Sequence, residues 1–341
     1  MTGISLRSMV VITLLTSVAG DAFAQQPADA ISLATWFGRG AAQAAPCRTP
    51  SHGGFDFWIG EWRVRGAAGR DAGPSSISKD LGGCAVSERF GTNGRSLSGW
   101  RESTAEWIQT YVDNSGLTLR LRGVARPDSM VLADSVRVIP GGQGMALASR
   151  FIWSKRPDGT VRQVWFFSRD GGATWPVNFD GTYTATAPGA AHSGPQSDSS
   201  AAAPGPCSQR PAFRAMDGLL GAWQVVDAEG GVVGTSMITA GLSGCVLEER
   251  FTTSAGFVRT SIILYDSYVR EWVWASADAN GIVERFVARA GEPGSWGFVN
   301  ERAGTAGFCV DFRGSSGPVI RADCAHGDGP GSGRFAYRRN Q

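Results

Sequence analysis

Leu81-Gly82-Gly83-Cys84-Ala85-Val86-Ser87-Glu88-Arg89-Phe90 returns later in the chain as Leu242-Ser243-Gly244-Cys245-Val246-Leu247-Glu248-Glu249-Arg250-Phe251. The correspondence extends outward from these segments. Gly60-Glu61-Trp62 precedes the first and Gly221-Ala222-Trp223 the second. Trp107, Asp113 and Gly116 follow the first, and Trp272, Asp278 and Gly281 follow the second with the same spacing. Self-similarity over so long a period marks two copies of one folding unit. A chain of 341 residues has room for both, each with its own core.

Between the copies, residues 188–206 are rich in Ala, Pro, Ser and Gly and read as a flexible linker. The first domain is therefore placed at 47–187 and the second at 207–341. Residues 1–24 read as a secretory signal: Arg7 supplies the positive start, Met9 to Gly20 is a short apolar run, and Ala22-Phe23-Ala24 is a small-x-small cleavage site. The run is too short to span a bilayer, and no membrane insertion is expected after its removal. Residues 25–46 are Ala-rich and read as a flexible leader. Export, to the periplasm or the extracellular medium, exposes the six cysteines to oxidising conditions. The repeat selects among their pairings. Cys47 with Cys84 and Cys207 with Cys245 are equivalent, which leaves Cys309 with Cys324.

Within each copy the hydrophobic pattern has period two. Trp107, Gln109, Tyr111 and Asp113 share one face of a strand, while Ile108, Thr110 and Val112 share the other. Asp113-Asn114-Ser115-Gly116 is a turn, and Arg156-Pro157-Asp158-Gly159 joins two further strands as a hairpin. Short strands punctuated by turns, in a chain with 47 glycines and no long helical pattern, indicate an all-β protein. We expect two tandem antiparallel barrels of eight to ten strands each.

Gly-x-Trp at the first strand of both copies resembles the calycin barrels, lipocalins and their relatives. There the Trp packs across the barrel floor under an Arg from the last strand. Trp62 and Trp223 are accordingly expected to be structural, with the Arg of the second domain drawn from Arg334-Phe335-Ala336-Tyr337-Arg338; the first domain ends without one. Phe55-Asp56-Phe57-Trp58-Ile59-Gly60-Glu61-Trp62, with Gly83-Cys84, Trp107-Ile108-Gln109, Asp113 and the 168–183 stretch, also resembles an exported bacterial family of unknown function with calycin-like barrels. That resemblance implies a fold and export, and no reaction. Ser168-Arg169-Asp170-Gly171-Gly172-Ala173-Thr174-Trp175 resembles the Asp-box of sialidase-type propellers. The Asp-box is a hairpin-turn device, and a propeller needs several copies where this chain has one.

The chemistry-bearing candidates are few. Net charge is +2, from 32 basic and 30 acidic residues without a basic run, so nucleic acid is not an expected partner. His52, His192 and His326 are far apart, with no metal-ligand spacing and no haem ligand among them. No cofactor motif is present. Glu88 and Glu249 sit at matching positions of the repeated strand. If that face points inward, each carboxylate needs a partner: either a ligand, or an Arg of a neighbouring strand such as Arg120 or Arg122. The pocket candidates are Glu88, Trp107, Gln109, Tyr111, Gln163 and Trp165, all in the first domain. In the second, Trp272, Trp274 and Ser276 stand at the positions of Trp107, Gln109 and Tyr111. The leading expectation is a binder of one small apolar or aromatic molecule in the first barrel. The alternatives are a barrel isomerase or hydrolase using Glu88, and an interaction module with solid barrels.

Overall fold

The computed structural model describes residues 36–38, 47–142, 144–186, 205–289, 294–301, 306–312, 317–321 and 334–339. The signal-like segment 1–24, most of the linker and Cys324 lie outside them.

Two barrels follow one another along the chain. The first uses β1 (Gly60–Gly66), β2 (Asp71–Asp80), β3 (Ala85–Phe90), β4 (Gly94–Arg101), β5 (Glu106–Asp113), β6 (Thr118–Arg126), β7 (Ser129–Asp134), β8 (Arg137–Val138), β9 (Ala146–Lys155), β10 (Val161–Ser168) and β11 (Val177–Ala185). Each strand pairs antiparallel with its neighbour, and β11 returns to β1 to close the ring. The short β8 is the exception: it lies beside β9, and β7 pairs with β9 directly, so ten strands make the ring.

The second barrel uses β12 (Gly221–Val226), β13 (Val232–Gly241), β14 (Val246–Thr252), β15 (Val258–Asp266), β16 (Glu271–Asp278), β17 (Val283–Arg289), β18 (Ser295–Asn300), β19 (Ala306–Asp311), β20 (Val319–Arg321) and β21 (Arg334–Arg339), closed by β21 on β12. The helical segments of both halves are turns of three or four residues. Closure leaves no free edge to template aggregation, so each copy can be a stable unit.

The repeated residues are repeated turn and floor devices. Leu81, Gly82 and Gly83 have φ of 57°, 69° and 104°, and Leu242, Ser243 and Gly244 have 49°, 53° and 89°. This left-handed run reverses the chain from β2 into β3 and from β13 into β14, and its last residue is glycine in both copies because a side chain is strained there. The reversal sets Cys84 against Cys47 and Cys245 against Cys207, and both disulfides form with Cα atoms 4.9 and 5.0 Å apart. Cys309 is also disulfide-bonded, its expected partner being outside the described residues. Asp113 Oδ1 accepts from the Ser115 and Leu117 amides at 2.8 and 3.0 Å. Asp278 Oδ1 does the same for Asn280 and Ile282 at 2.9 and 3.0 Å. Trp62 donates its indole N–H to the Trp58 carbonyl at 2.9 Å, and Trp223 to that of Leu219 at 2.7 Å. The Asp-box is likewise a turn: Asp170 Oδ1 accepts from the Thr174 amide at 3.0 Å.

The arginine over Trp223 is Arg339, 4.7 Å from the ring, one residue beyond the segment from which it was expected. Register explains the choice: Arg339 pairs with Trp223, while Arg338 pairs with Gln224 and so faces outward. In the first barrel Ala185 pairs with Trp62, so that position carries no cation.

The barrels pack on each other through outward faces. Leu97, Ile108 and Val112 of the first share a buried cluster with Ile262, Val273, Ala275 and Val283 of the second. Charged groups surround this seam. Arg120 reaches Glu271 at 2.8 Å, Glu301 at 3.1 Å and Asp266 at 3.5 Å, while Arg137 bonds Asp266 and Arg285 bonds Glu301. Arg120 is thus an outward, cross-barrel residue and not the partner of Glu88. Cavities of about 400 and 310 Å³ lie in this seam, the first lined by serines, threonines and charges such as Arg89, Arg95 and Glu248, the second by Arg120, Arg137, Arg285 and Glu301.

Candidate functional site

Period two on β3 turns Val86 and Glu88 inward and Ser87 and Arg89 outward. Arg89 pairs across the seam with Glu248 at 2.6 Å, whereas Glu88 is 6% exposed inside the first barrel. The neighbouring strands supply its partners. Ile77 and Glu88 are opposite in the β2–β3 register, as are Glu88 and Ser96 in β3–β4. Ser96 Oγ donates to Glu88 at 3.0 Å and Ser75 Oγ at 3.3 Å. Among the described residues, no arginine bonds it. Burial therefore dominates and pushes the carboxyl up to about 7, against the serine hydrogen bonds and the distant Arg95, which pull it down. Tyr111 and Tyr183 share this interior, and burial, with the charge of Glu88, pushes both phenols upward.

The matching site in the second barrel has another solution. Ser236 and Ser261 bond Glu249 at 2.9 and 2.8 Å, as their counterparts do to Glu88. Arg259 also grips it, with Nη2 at 3.2 and 3.1 Å from the two oxygens, and the Tyr337 hydroxyl adds a bond at 3.1 Å. Arg259 occupies the register position of Gly94: one pairs with Asp278, the other with Asp113. Two residues along, Ser276 replaces Tyr111. The exchange is one of volume. A Cβ on Gly94 would come within 2.6 Å of the Tyr111 hydroxyl, so the tyrosine fills in one barrel the space that the arginine fills in the other.

Arg259 serves a second contact. Its Nη1 donates to the Trp36 carbonyl at 2.7 Å, and its guanidinium lies 4.2 Å from the Trp36 ring and 5.0 Å from that of Phe37. Trp36 is 1% exposed and Phe37 fully buried. Trp36 packs on Phe308, Trp274 and Phe286 with centroids 4.4 to 5.6 Å apart, and Phe37 on Phe335 and Phe251 at 4.0 and 5.3 Å. Residues expected in a flexible leader thus plug the second barrel.

The first barrel has no such plug among its described residues. Phe251 is buried beneath Phe37, while its counterpart Phe90 keeps exposed surface, as do Tyr111, Trp165 and Phe179 on the same inner face. Of the six pocket candidates, Glu88, Gln109, Tyr111, Gln163 and Trp165 come together in this interior. Gln109 donates to Ser98 Oγ at 3.0 Å, Gln163 accepts from the Tyr183 hydroxyl, and Trp165 donates to Ser149 Oγ at 3.2 Å while stacking on Phe151. Trp107 lies at the floor, packed on Phe55 and bonded to the Ser51 carbonyl at 3.1 Å. His52, beside that floor, is bonded to Thr49 Oγ1 at 2.7 Å.

Sequence reasoning missed Ser75, Ser96, Tyr183, Arg259, Trp36 and Phe37. The serines were findable, since Ser75 and Ser236, and Ser96 and Ser261, keep the spacing of the repeat. An adjacent Trp-Phe pair in an otherwise Ala-rich leader was a second signal.

No family model and no curated protein sequence matches the chain. Among solved structures, a protein of unknown function from the DUF3598 family of Nostoc punctiforme matches over 85% of this chain and 97% of its own, at 9% identity and a TM-score of 0.18. A likeness that slight transfers neither fold nor function.

Proposed function

We propose that the first barrel binds one small, mostly apolar or aromatic molecule in its interior, with Glu88 as the polar anchor. The observation that carries this reading is the difference between the copies. The second barrel holds an aromatic pair against its Glu–Arg site, whereas the equivalent space in the first is bordered by the partly exposed rings of Phe90, Tyr111, Trp165 and Phe179. Barrels of about this size take a single small ligand, and apolar walls with a few convergent polar groups are the usual form of such a site. The resemblance to calycin barrels and the oxidising environment implied by two disulfides support an exported binder.

Titration of the purified exported protein with 2-naphthol, together with native mass spectrometry for a co-purified ligand, tests the proposal. One site per chain is expected, weakened about two- to tenfold by Trp165→Ala through loss of ring stacking. Two equal sites, or an affinity indifferent to Trp165, would refute it. A second reading, a barrel enzyme, is favoured by one observation: a carboxyl pushed up to about 7 is suited to general-base work near neutrality. It requires that Glu88→Gln abolish turnover without unfolding the protein.

A further inference from the structure

Trp36 and Phe37 sit in the second barrel as a ligand sits in a site. Neither belongs to a strand of the ring. Both side chains are enclosed by rings from β14, β16, β17, β19 and β21, and the Trp36 carbonyl takes a hydrogen bond from a buried arginine. That arginine is itself held by Glu249, and the side chains of both are wholly buried. The site is therefore built independently of its occupant: two serines and a tyrosine bond the Glu249 carboxylate, which in turn holds Nη2 of the guanidinium, leaving Nη1 for an incoming carbonyl. Flat aromatic walls then select the side chains on either side of that carbonyl.

We propose that the interior of the second barrel is a binding site for aromatic acyl compounds, Trp-Phe peptides foremost, and that residues 36–37 are its resident ligand supplied in cis. The inference does not rest on ligand binding by the first barrel. Residues 39–46 join the plug to Cys47, which the disulfide to Cys84 fastens to the first barrel. The plug therefore competes intramolecularly, so free ligand is excluded until the plug is released. The plug is then an autoinhibitory segment that also straps one barrel to the other.

The test is to introduce a specific protease site between residues 39 and 46 and cut the folded, disulfide-bonded chain. The N-terminal fragment is expected to stay bound through gel filtration and to be displaced by excess N-acetyl-Trp-Phe-amide, which the uncut protein should not take up. In the same cut protein, Phe37→Ala should weaken retention by about a hundredfold or more, the loss of one buried phenyl ring. A fragment that leaves without competitor overturns the proposal. So does one that no concentration of peptide displaces short of unfolding, because it would then be an element of the core and not an exchangeable ligand. Retention unaffected by Phe37→Ala overturns it as well.

Discussion

Glu88→Gln and Glu249→Gln make the same exchange of carboxylate for amide at the same position of the repeat, and their effects should have opposite signs. Glu88 has two serine partners and no arginine, and its carboxyl moves from the ordinary 4.5 to about 7 in the folded protein. Below pH 4.5 the folded and unfolded chains both carry the proton, so no stability is lost. Between 4.5 and 7 the unfolded chain ionises first, and stability falls as pH rises. Above 7 the loss is complete. At about 1.4 kcal/mol per pH unit between 4.5 and about 7, it comes to about 3 kcal/mol. Glutamine keeps an acceptor for the serines, whose hydroxyls rotate to suit, and carries no charge to bury. Glu88→Gln should therefore be stabilising by under about 1 kcal/mol at pH 5 and by about 3 kcal/mol at pH 8. Glu249→Gln instead leaves the fully buried Arg259 without its counter-charge, a loss of about 3–5 kcal/mol at pH 8. Urea titrations of the three proteins at both pH values measure all of this. If Glu88→Gln is less stable than wild type at pH 8, or its advantage is the same at pH 5, the carboxylate has a counter-charge and the reasoning fails.

Two further predictions follow from the same geometry. The double substitution Gly94→Arg with Tyr111→Ser reproduces in the first barrel the Arg259–Ser276 arrangement of the second, so it should bring the Glu88 carboxyl back down toward the ordinary range. Infrared detection of its protonation across pH 5–8 reads this, and Gly94→Arg alone, which collides with Tyr111, should be much less stable than the pair. Arg120→Ala strips one cation from three acidic groups of the other barrel, of which Asp266 keeps Arg137 and Glu301 keeps Arg285; we expect a loss of about 1–3 kcal/mol, and hydrogen exchange should rise at β6 and β16 while the barrel interiors stay protected.

Much of the fold is legible in the sequence. The duplication shows in ten consecutive residues, and the disulfide pairing follows from it because equivalent cysteines in equivalent domains must pair alike. That Val86 shares a face with Glu88, and Gln109 with Tyr111, follows from the period of two; that these faces point inward is shown by the structure. The turn at Asp113 was readable because an Asp with a Gly three residues on can cap its own chain reversal. Misreadings came where the partner was remote. Arg120 was offered to Glu88 because it lies on a nearby strand; its face is outward, and its acids are in the other copy. The arginine over Trp223 was missed by one residue, since register at a frayed chain end is set by pairing with β12 and not by local pattern.

By itself, then, the sequence determined the repeated β architecture, the cysteine pairs, the turns and which side chains share a strand face, all consequences of chemistry within a few residues or of the alternation of a strand. Only the tertiary structure decided that the two barrels form one packed body, that one interior is filled by Trp36 and Phe37, and that two identical glutamates live in different electrostatic surroundings. Those outcomes depend on groups meeting in space, some more than a hundred residues apart, such as Arg120 with Asp266 and Trp36 with Arg259, and others on neighbouring strands, such as Arg259 with Glu249. A local pattern records that a residue is apolar or charged; what it meets is settled when the barrels close and pack.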